Sequence, residues 1–437
     1  MRFSLLVLAC LGVAGHGLSF AQTPAAQAPL AAPALTVLQA MRLAENASPA
    51  VKLRAAQMAA VEGARQQAKA VFSNNPELSL ERSDKVTQLA PLADERSQGW
   101  SLGLTQIIET GGQQVRRREA ADASLEALNA EIEDARRQAR SEAVRRFYAV
   151  LAAERRIPIE QKSVELFELS AQAVARRRAA GEDTRLDANV AVVEAERARN
   201  VLALARERVL EARGELAAVL QLNGAALPAL VPDPAFEPKA TASVVPPYDL
   251  NGLLANARAL PKLKALEAKE NVARARLALE RASRYPDLTL GVVLGREGPN
   301  TARDQVTSFT LSLPLPVFKR NQAGIGQALS DTDTAEIERA AAVREQDTLI
   351  QRLWSRLTSQ GERVKRLQSN LLPASADNQQ LAVKSRQAGQ IGLLEQLLIN
   401  RQALDAERDM NDALVDYHTT RIELENAAGW SQEGASR

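Results

Sequence analysis

The chain has 437 residues, 46% hydrophobic and only 3% aromatic, with 55 basic side chains against 53 acidic ones. That near balance excludes the basic field on which nucleic-acid binders rely. One cysteine in the whole chain excludes a disulfide scaffold and a thiolate metal site.

Residues 1–21 read as a secretory signal: Arg2, an apolar stretch from Phe3 to Ala14, and the small-x-small site Ser19-Phe20-Ala21, with cleavage expected before Gln22. Val7-Leu8-Ala9-Cys10 is similar to a lipoprotein box but lies very early, with apolar residues continuing beyond it. Both processing routes stay open. Residues 22–35 form an Ala/Pro-rich lead-in. Helix is expected over 36–71, with Pro76 opening a strand, then a polar loop at 82–97 that contains Pro91. The second strand ends near Ile108 and Gly111-Gly112 turns the chain. A helix follows from about Gln114 to Ala180, with Pro158 as its one expected kink. At ~1.5 Å per residue such a helix is about 100 Å long and needs lateral partners to bury its apolar stripe. Gly181-Glu182-Asp183 breaks it, and a return helix runs to about Leu222, with Leu202, Val209 and Leu216 recurring every seven residues.

The first half therefore spans 36–222, and the proline-rich segment 223–248 links it to a second half, 249–430. There the order repeats: helix 249–283, two strands, a long helix 322–388, a break at Gly389, and a return helix to about Ala428, followed by a tail at 431–437. No segment after the signal has the ~18–20 apolar residues of a membrane-spanning helix.

The strands carry the most informative pattern. Leu78/Leu80, Trp100/Leu102/Leu104, Leu288/Leu290/Val292 and Phe309/Leu311/Leu313 alternate with polar or small residues. Period two sorts them onto one face of a sheet. A half-buried soluble sheet gives this pattern, and so does a membrane barrel with an apolar outside. Four strands cannot close a barrel, which needs roughly eight, and an open sheet leaves unpaired edges. Several copies would remove those edges, so the pattern predicts a symmetric homo-oligomer, most simply a trimer with twelve strands.

With this order of elements given twice, the chain resembles the TolC-type outer-membrane factors over about 36–430. Two stretches are similar to the CzcC branch: Gln106-Ile107-Ile108-Glu109-Thr110-Gly111-Gly112-Gln113, and Leu313-Pro314-Leu315-Pro316-Val317-Phe318-Lys319-Arg320-Asn321-Gln322. Lys319 and Ala323 depart from that branch's usual Leu-Pro-Leu-Phe-Asp-Arg-Asn-Gln-Gly. The resemblance implies a mainly α fold with a small β part: a homotrimer whose twelve-stranded barrel sits in the outer-membrane lipid, continued by a long α-helical barrel in the periplasm. It also implies a periplasmic adaptor, an inner-membrane pump of the resistance-nodulation-division class, and export of divalent heavy-metal cations such as cobalt, zinc or cadmium. Ducts for drugs or secreted proteins, and a periplasmic coiled-coil scaffold, are the alternatives.

On this reading the alternating apolar residues above form the barrel's outward face, with Trp100 and Phe309 near the lipid boundary. Gly111, Gly112, Pro314 and Pro316 make the strand-helix turns. Gly181, Leu186, Gly389 and Leu394 meet the adaptor at the periplasmic tip, where both helical turns are expected to lie together. The resemblance offers Asp187 and Glu395 as acidic rings at the entrance, with Leu398 in place of a second carboxylate; the plainer reading is a solvated charge on a surface helix. No catalytic, cofactor or metal constellation is legible, and His418 reads as structural.

Overall fold

The computed structural model describes residues 34–87, 95–223, 227–232, 248–298 and 302–429. The signal segment, most of the lead-in and proline-rich linker, and the tail lie outside these. The order is α1 (Val37–Ala47), α2 (Pro49–Ala56), α3 (Met58–Ala68), β1 (Glu77–Thr87), β2 (Glu95–Ile108), α4 (Gln113–Ala179) and α5 (Arg185–Val219), then α6 (Leu250–Ala257), α7 (Pro261–Ala282), β3 (Leu288–Glu297), β4 (Asp304–Ser312), α8 (Gln322–Arg366), α9 (Leu372–Gln387) and α10 (Leu393–Ala428).

Four expectations are corrected. The helix expected over 36–71 is three helices: Pro49 forces Ser48 out of the helical region, to φ −51° and ψ 122°, and a second, milder break falls at Gln57. The helix expected over 249–283 breaks in the same way, with Leu260 at φ −58° and ψ 137° before Pro261. The loop expected over 82–97 is strand at both ends, so β1 and β2 form a longer hairpin. The helix expected over 322–388 is interrupted by a five-residue π-turn, Leu367–Leu371, just before Pro373. There the Leu372 N–H donates to the Leu367 carbonyl, five residues back, an adjustment that accommodates a residue with no N–H of its own. By contrast, α4 stays helical through Pro158 for 67 residues.

The four strands form one antiparallel sheet in the order β1-β2-β3-β4. The long helices stand beside one another, α4 against α5, α7 and α10, and α8 against α7 and α10. One apolar cluster gathers Leu35, Phe147, Val150, Leu216 and Leu230 from the lead-in, α4, α5 and the segment after α5. A second gathers Leu253, Leu260, Ile350, Leu357 and Leu424 from α6 to α10. A parallel bridge joins Leu35 to Leu230, with the Leu35 N–H donating to the Ala229 carbonyl at 2.7 Å.

Apolar contact is thin along such slender helices, and ion pairs supplement it. Glu160 of α4 is fully buried and accepts from Arg156 at 2.6 Å and from Arg408 of α10 at 3.0 and 2.5 Å. Burial opposes ionisation of Glu160, yet the hydrogen bonds and charges of Arg408 and Arg156 outweigh it and hold the carboxyl below its ordinary range. A carboxylate depressed in the folded state contributes stability above its unfolded pKa, and this is lost as pH falls through the folded value. Replacing Glu160 with Gln removes the anion shared by two half-buried guanidiniums, leaving Arg156 only Asp412 and Arg408 only Asp405, and is expected to cost roughly 1–3 kcal/mol at pH 7. In thermal unfolding, the gap between wild type and variant should close as pH falls into the acid range.

Candidate functional site

Cross-strand register decides which side chains share a face of the sheet. Leu78 opposes Leu104, which opposes Val292, which opposes Phe309. Leu80, Leu102 and Leu294 make the next row, and Leu290 with Leu311 and Ile108 with Leu288 lie on the other side. Leu313 follows β4 in the same alternation. The apolar strand residues named from sequence therefore share one face, and most are exposed, up to 81% for Phe309. A contiguous exposed patch of this kind is costly in water. The rows from Ile108 to Trp100 span nine residues of β2, or eight steps along the strand. At ~3.4 Å per residue that is about 27 Å along the strand, or about 21 Å at a ~40° tilt, close to the ~25 Å apolar band of membrane barrels. Trp100 stands at the edge of this band, whereas Phe309 stands two rows inside it, in the central row rather than at the boundary.

The opposite face is small and polar: Ser79, Gly103, Val293 and Ser308 form one row. Directly opposed Cβ atoms normally stand about 4.5–5.5 Å apart. On this face a Cβ at Gly103 would lie 3.9 Å from that of Ser79, one at Gly295 3.3 Å from that of Ser101, and one at Gly291 3.4 Å from that of Thr310. The sheet therefore curls toward its small polar side and bows outward on its apolar side.

Both strand-to-helix turns use one device. Gly112 (φ 75°) and Asn321 (φ 56°) are left-handed N-cap residues of α4 and α8. The following glutamine folds back in each, Gln113 Oε1 accepting from the Gly111 N–H at 2.6 Å and Gln322 Oε1 from the Arg320 N–H at 2.9 Å. Gly111 is needed for close approach, since a Cβ there would lie 2.6 Å from the Ala282 carbonyl. Pro316 accepts from Arg320 Nε at 3.1 Å, and Pro314 lies just beyond β4, where no ladder bond is lost. Sequence reasoning missed the aromatics at this end, where Phe72, Tyr285 and Phe318 are exposed, Phe318 by 90%. Their signal was present: scarce aromatics placed at strand-helix junctions.

At the other end of the long helices the two turns lie together. Gly181 (φ 80°) and Gly389 (φ 72°) sit in matching left-handed caps. The Glu182 N–H donates to the Arg177 carbonyl at 2.9 Å, and the Gln390 N–H to the Ser385 carbonyl at 2.8 Å. Arg386 joins the turns, donating to both carboxylate oxygens of Asp183 at 3.0 and 3.2 Å and to the Ile391 carbonyl at 3.2 Å. Leu393 and Leu397 of α10 pack against Phe167 and Val174 of α4 and Ala191 and Ala195 of α5. Leu186 and Leu394 remain 71% and 65% exposed.

The two acidic candidates differ. Asp187 is engaged locally in a capping box, accepting from the Thr184 hydroxyl at 2.6 Å and the Thr184 N–H at 3.0 Å. The Thr184 hydroxyl, then its backbone N–H and the charge of Arg386, hold Asp187 below the usual carboxylate range. Glu395 is exposed in the first turn of α10. His418 is buried, stacked on Tyr148 at 5.9 Å and edge-on to Tyr417 at 5.4 Å. Among the described residues no group of three His, Cys, Asp or Glu side chains could hold a metal ion, and no helix is long and apolar enough to cross a membrane.

Residues 253–430 match the family described as Outer membrane efflux protein. The cobalt-zinc-cadmium resistance protein CzcC of Cupriavidus metallidurans is 27% identical over 393 residues, 89% of this chain and 86% of its own. Among solved structures, the outer-membrane channel OprN superposes with a TM-score of 0.74 at 19% identity, covering 90% of each chain. CusC, described as undergoing conformational changes on folding and transmembrane channel formation, superposes with a TM-score of 0.74 at 16% identity, covering 90% of this chain and 92% of that one. The fold is that of the TolC-type channels, and the resemblance to the CzcC branch is supported by sequence across most of the chain.

Removing the link between the turns should loosen this end alone. Asp183→Ala deletes a charged bidentate pair, which contributes about 1.5–3 kcal/mol. Amide exchange in residues 182–186 and 388–393 should rise roughly ten- to hundredfold, with the α4–α10 contacts around Glu160 unchanged.

Proposed function

We propose that this chain is the passive outer-membrane duct of a tripartite efflux system, exporting divalent heavy-metal cations of the cobalt, zinc or cadmium kind. The observation that carries the membrane reading is the two-faced sheet, which exposes every apolar strand row on its outer curve and keeps small polar groups on its inner curve. Three copies would supply twelve strands, pair β1 of one with β4 of the next, and enclose a wet lumen. Below the sheet, α4, α5 and α8 to α10 would continue the wall of that lumen across the periplasm. A duct makes and breaks no bonds. It requires a dry outside, a polar inside and an end that can close.

The paired turns are proposed as that end. Gly181, Leu186, Gly389 and Leu394 would meet the periplasmic adaptor, and the inner-membrane pump would supply the energy. Of the acidic candidates, Glu395 is the better gate residue, because its carboxylate is exposed while that of Asp187 is committed to Thr184. Three copies of Glu395 would make a ring of carboxylates that attracts cations. The resistance named for the 27%-identical relative supports heavy-metal cargo.

Two experiments test this. Leu104 lies in the central row of the apolar face, so Leu104→Arg should cost about 2–4 kcal/mol in a bilayer and prevent membrane assembly. Ser101→Arg, on the inner curve, should assemble. Equal assembly of both would refute the assignment of faces. Deleting the gene should lower tolerance to zinc, cobalt or cadmium, and loss of tolerance to organic drugs alone would refute the metal reading.

A further inference from the structure

Charge on the sheet is sorted by face. On the inner curve the described strand residues carry Glu77, Glu81, Glu297 and Asp304 against Lys85. On the outer curve they carry Arg82, Arg96 and Arg296 against Asp84, all at the hairpin end of the sheet and none further inside the apolar band than its edge row at Trp100. Two of these arginines fall in one row. Arg82 opposes Trp100, Trp100 opposes Arg296, and Arg296 opposes Gln305. The row directly adjoins Leu80, Leu102 and Leu294, the last apolar row.

We infer that Arg82 and Arg296, flanking Trp100, form a binding site for phosphate groups of lipid headgroups in the leaflet around the hairpin end of the barrel. This rests on the proposed outward face. Neighbouring strands are ~4.8 Å apart, so the two guanidiniums leave the sheet about 10 Å apart with an indole between them. Both arginines are exposed, and neither has an ion-pair or hydrogen-bond partner among the described residues. Two cations held this close without an anion repel each other. A phosphate seated across the row would accept from both forks. Trp100, with its apolar body and its N–H donor, suits the boundary between acyl chain and headgroup. Gln305 adds a neutral donor at the row's end, and Arg96 stands two rows further out, beyond Asp84 and Gln98. Continuity with the apolar band selects a lipid, whose acyl chains would lie along Leu80, Leu102 and Leu294, over a free anion.

The test uses full-length protein in detergent, with native mass spectrometry to count retained lipid. The probes are lipid A carrying its two phosphates and the same lipid dephosphorylated. A surface-facing basic residue strengthens binding to anionic lipid about fivefold. Wild type should therefore retain the phosphorylated lipid roughly twenty-five times more tightly than the Arg82→Gln, Arg296→Gln double variant, with the dephosphorylated lipid retained alike by both. The Arg82→Lys, Arg296→Lys variant should restore most of the difference. Equal retention by wild type and the Gln variant, or a Lys variant no better than the Gln variant, would overturn the inference. So would displacement of the lipid by an equal concentration of inorganic phosphate. Failure of wild type to enter bilayers would refute the outward face itself, whereas normal insertion with unchanged lipid retention would refute only this site.

Discussion

The two unpaired edges of a four-stranded sheet constrain everything else in this molecule. Strands β1 and β4 each present a row of backbone N–H and C=O groups with no strand partner among the described residues. In a hydrocarbon environment each such group would cost several kcal/mol, and only closure removes the cost. The sheet is also curled the right way for closure, with glycines and serines on the tight side and leucines on the wide side. Edge pairing, curvature and polarity all favour one solution, a barrel built from several copies. Solved channels of the same fold agree with the architecture of the single chain.

The proposed barrel shared between copies would also account for the helices. The 67 residues of α4 reach about 100 Å, far longer than a compact core requires, and their apolar stripe is narrow and rich in alanine. Such a helix is held by neighbours along its length. Within one chain these are α5, α7 and α10, together with the short helices α1 to α3, aided by ionic ties such as Glu160 to Arg408 and Arg146 to Glu215. Several large aliphatic side chains still face outward on α5, α8 and α9, Leu186, Val193, Leu210, Ile337 and Leu381 among them. Adjacent copies and an adaptor would cover this surface. At the far end the Arg386–Asp183 pair ties the two hairpins together, so an opening of the tip would have to carry both or break this pair.

Much of this was legible in the sequence because period two in the strands and glycines at the tip are local signals. Leu78, Leu80, Trp100 and Leu102 needed no tertiary information to be grouped on one face, and Gly181 and Gly389 marked their turns by residue type alone. Proline effects were legible in principle but misjudged. Pro49, Pro261 and Pro373 each altered a helix that had been read as continuous, while Pro158 left its helix continuous. The difference lies in what precedes the ring: Ser48 and Leu260 leave the helical region, and a π-turn precedes Pro373. The Arg386–Asp183 link was not legible, since 203 residues separate its partners. The engagement of Asp187 was, for Thr184-Arg185-Leu186-Asp187 has the spacing of a capping box. The placement of Phe309 inside the band depended on register, which alternation alone does not fix.

The most direct test of the account is the mass of the detergent-solubilised protein recovered from outer membranes. Closed edges predict three chains in one particle, stable without cross-linking, with β1 and β4 protected from amide exchange along their outer edges. A monomer in which those edges exchange freely would contradict the account, because a four-stranded sheet cannot then be what crosses the membrane.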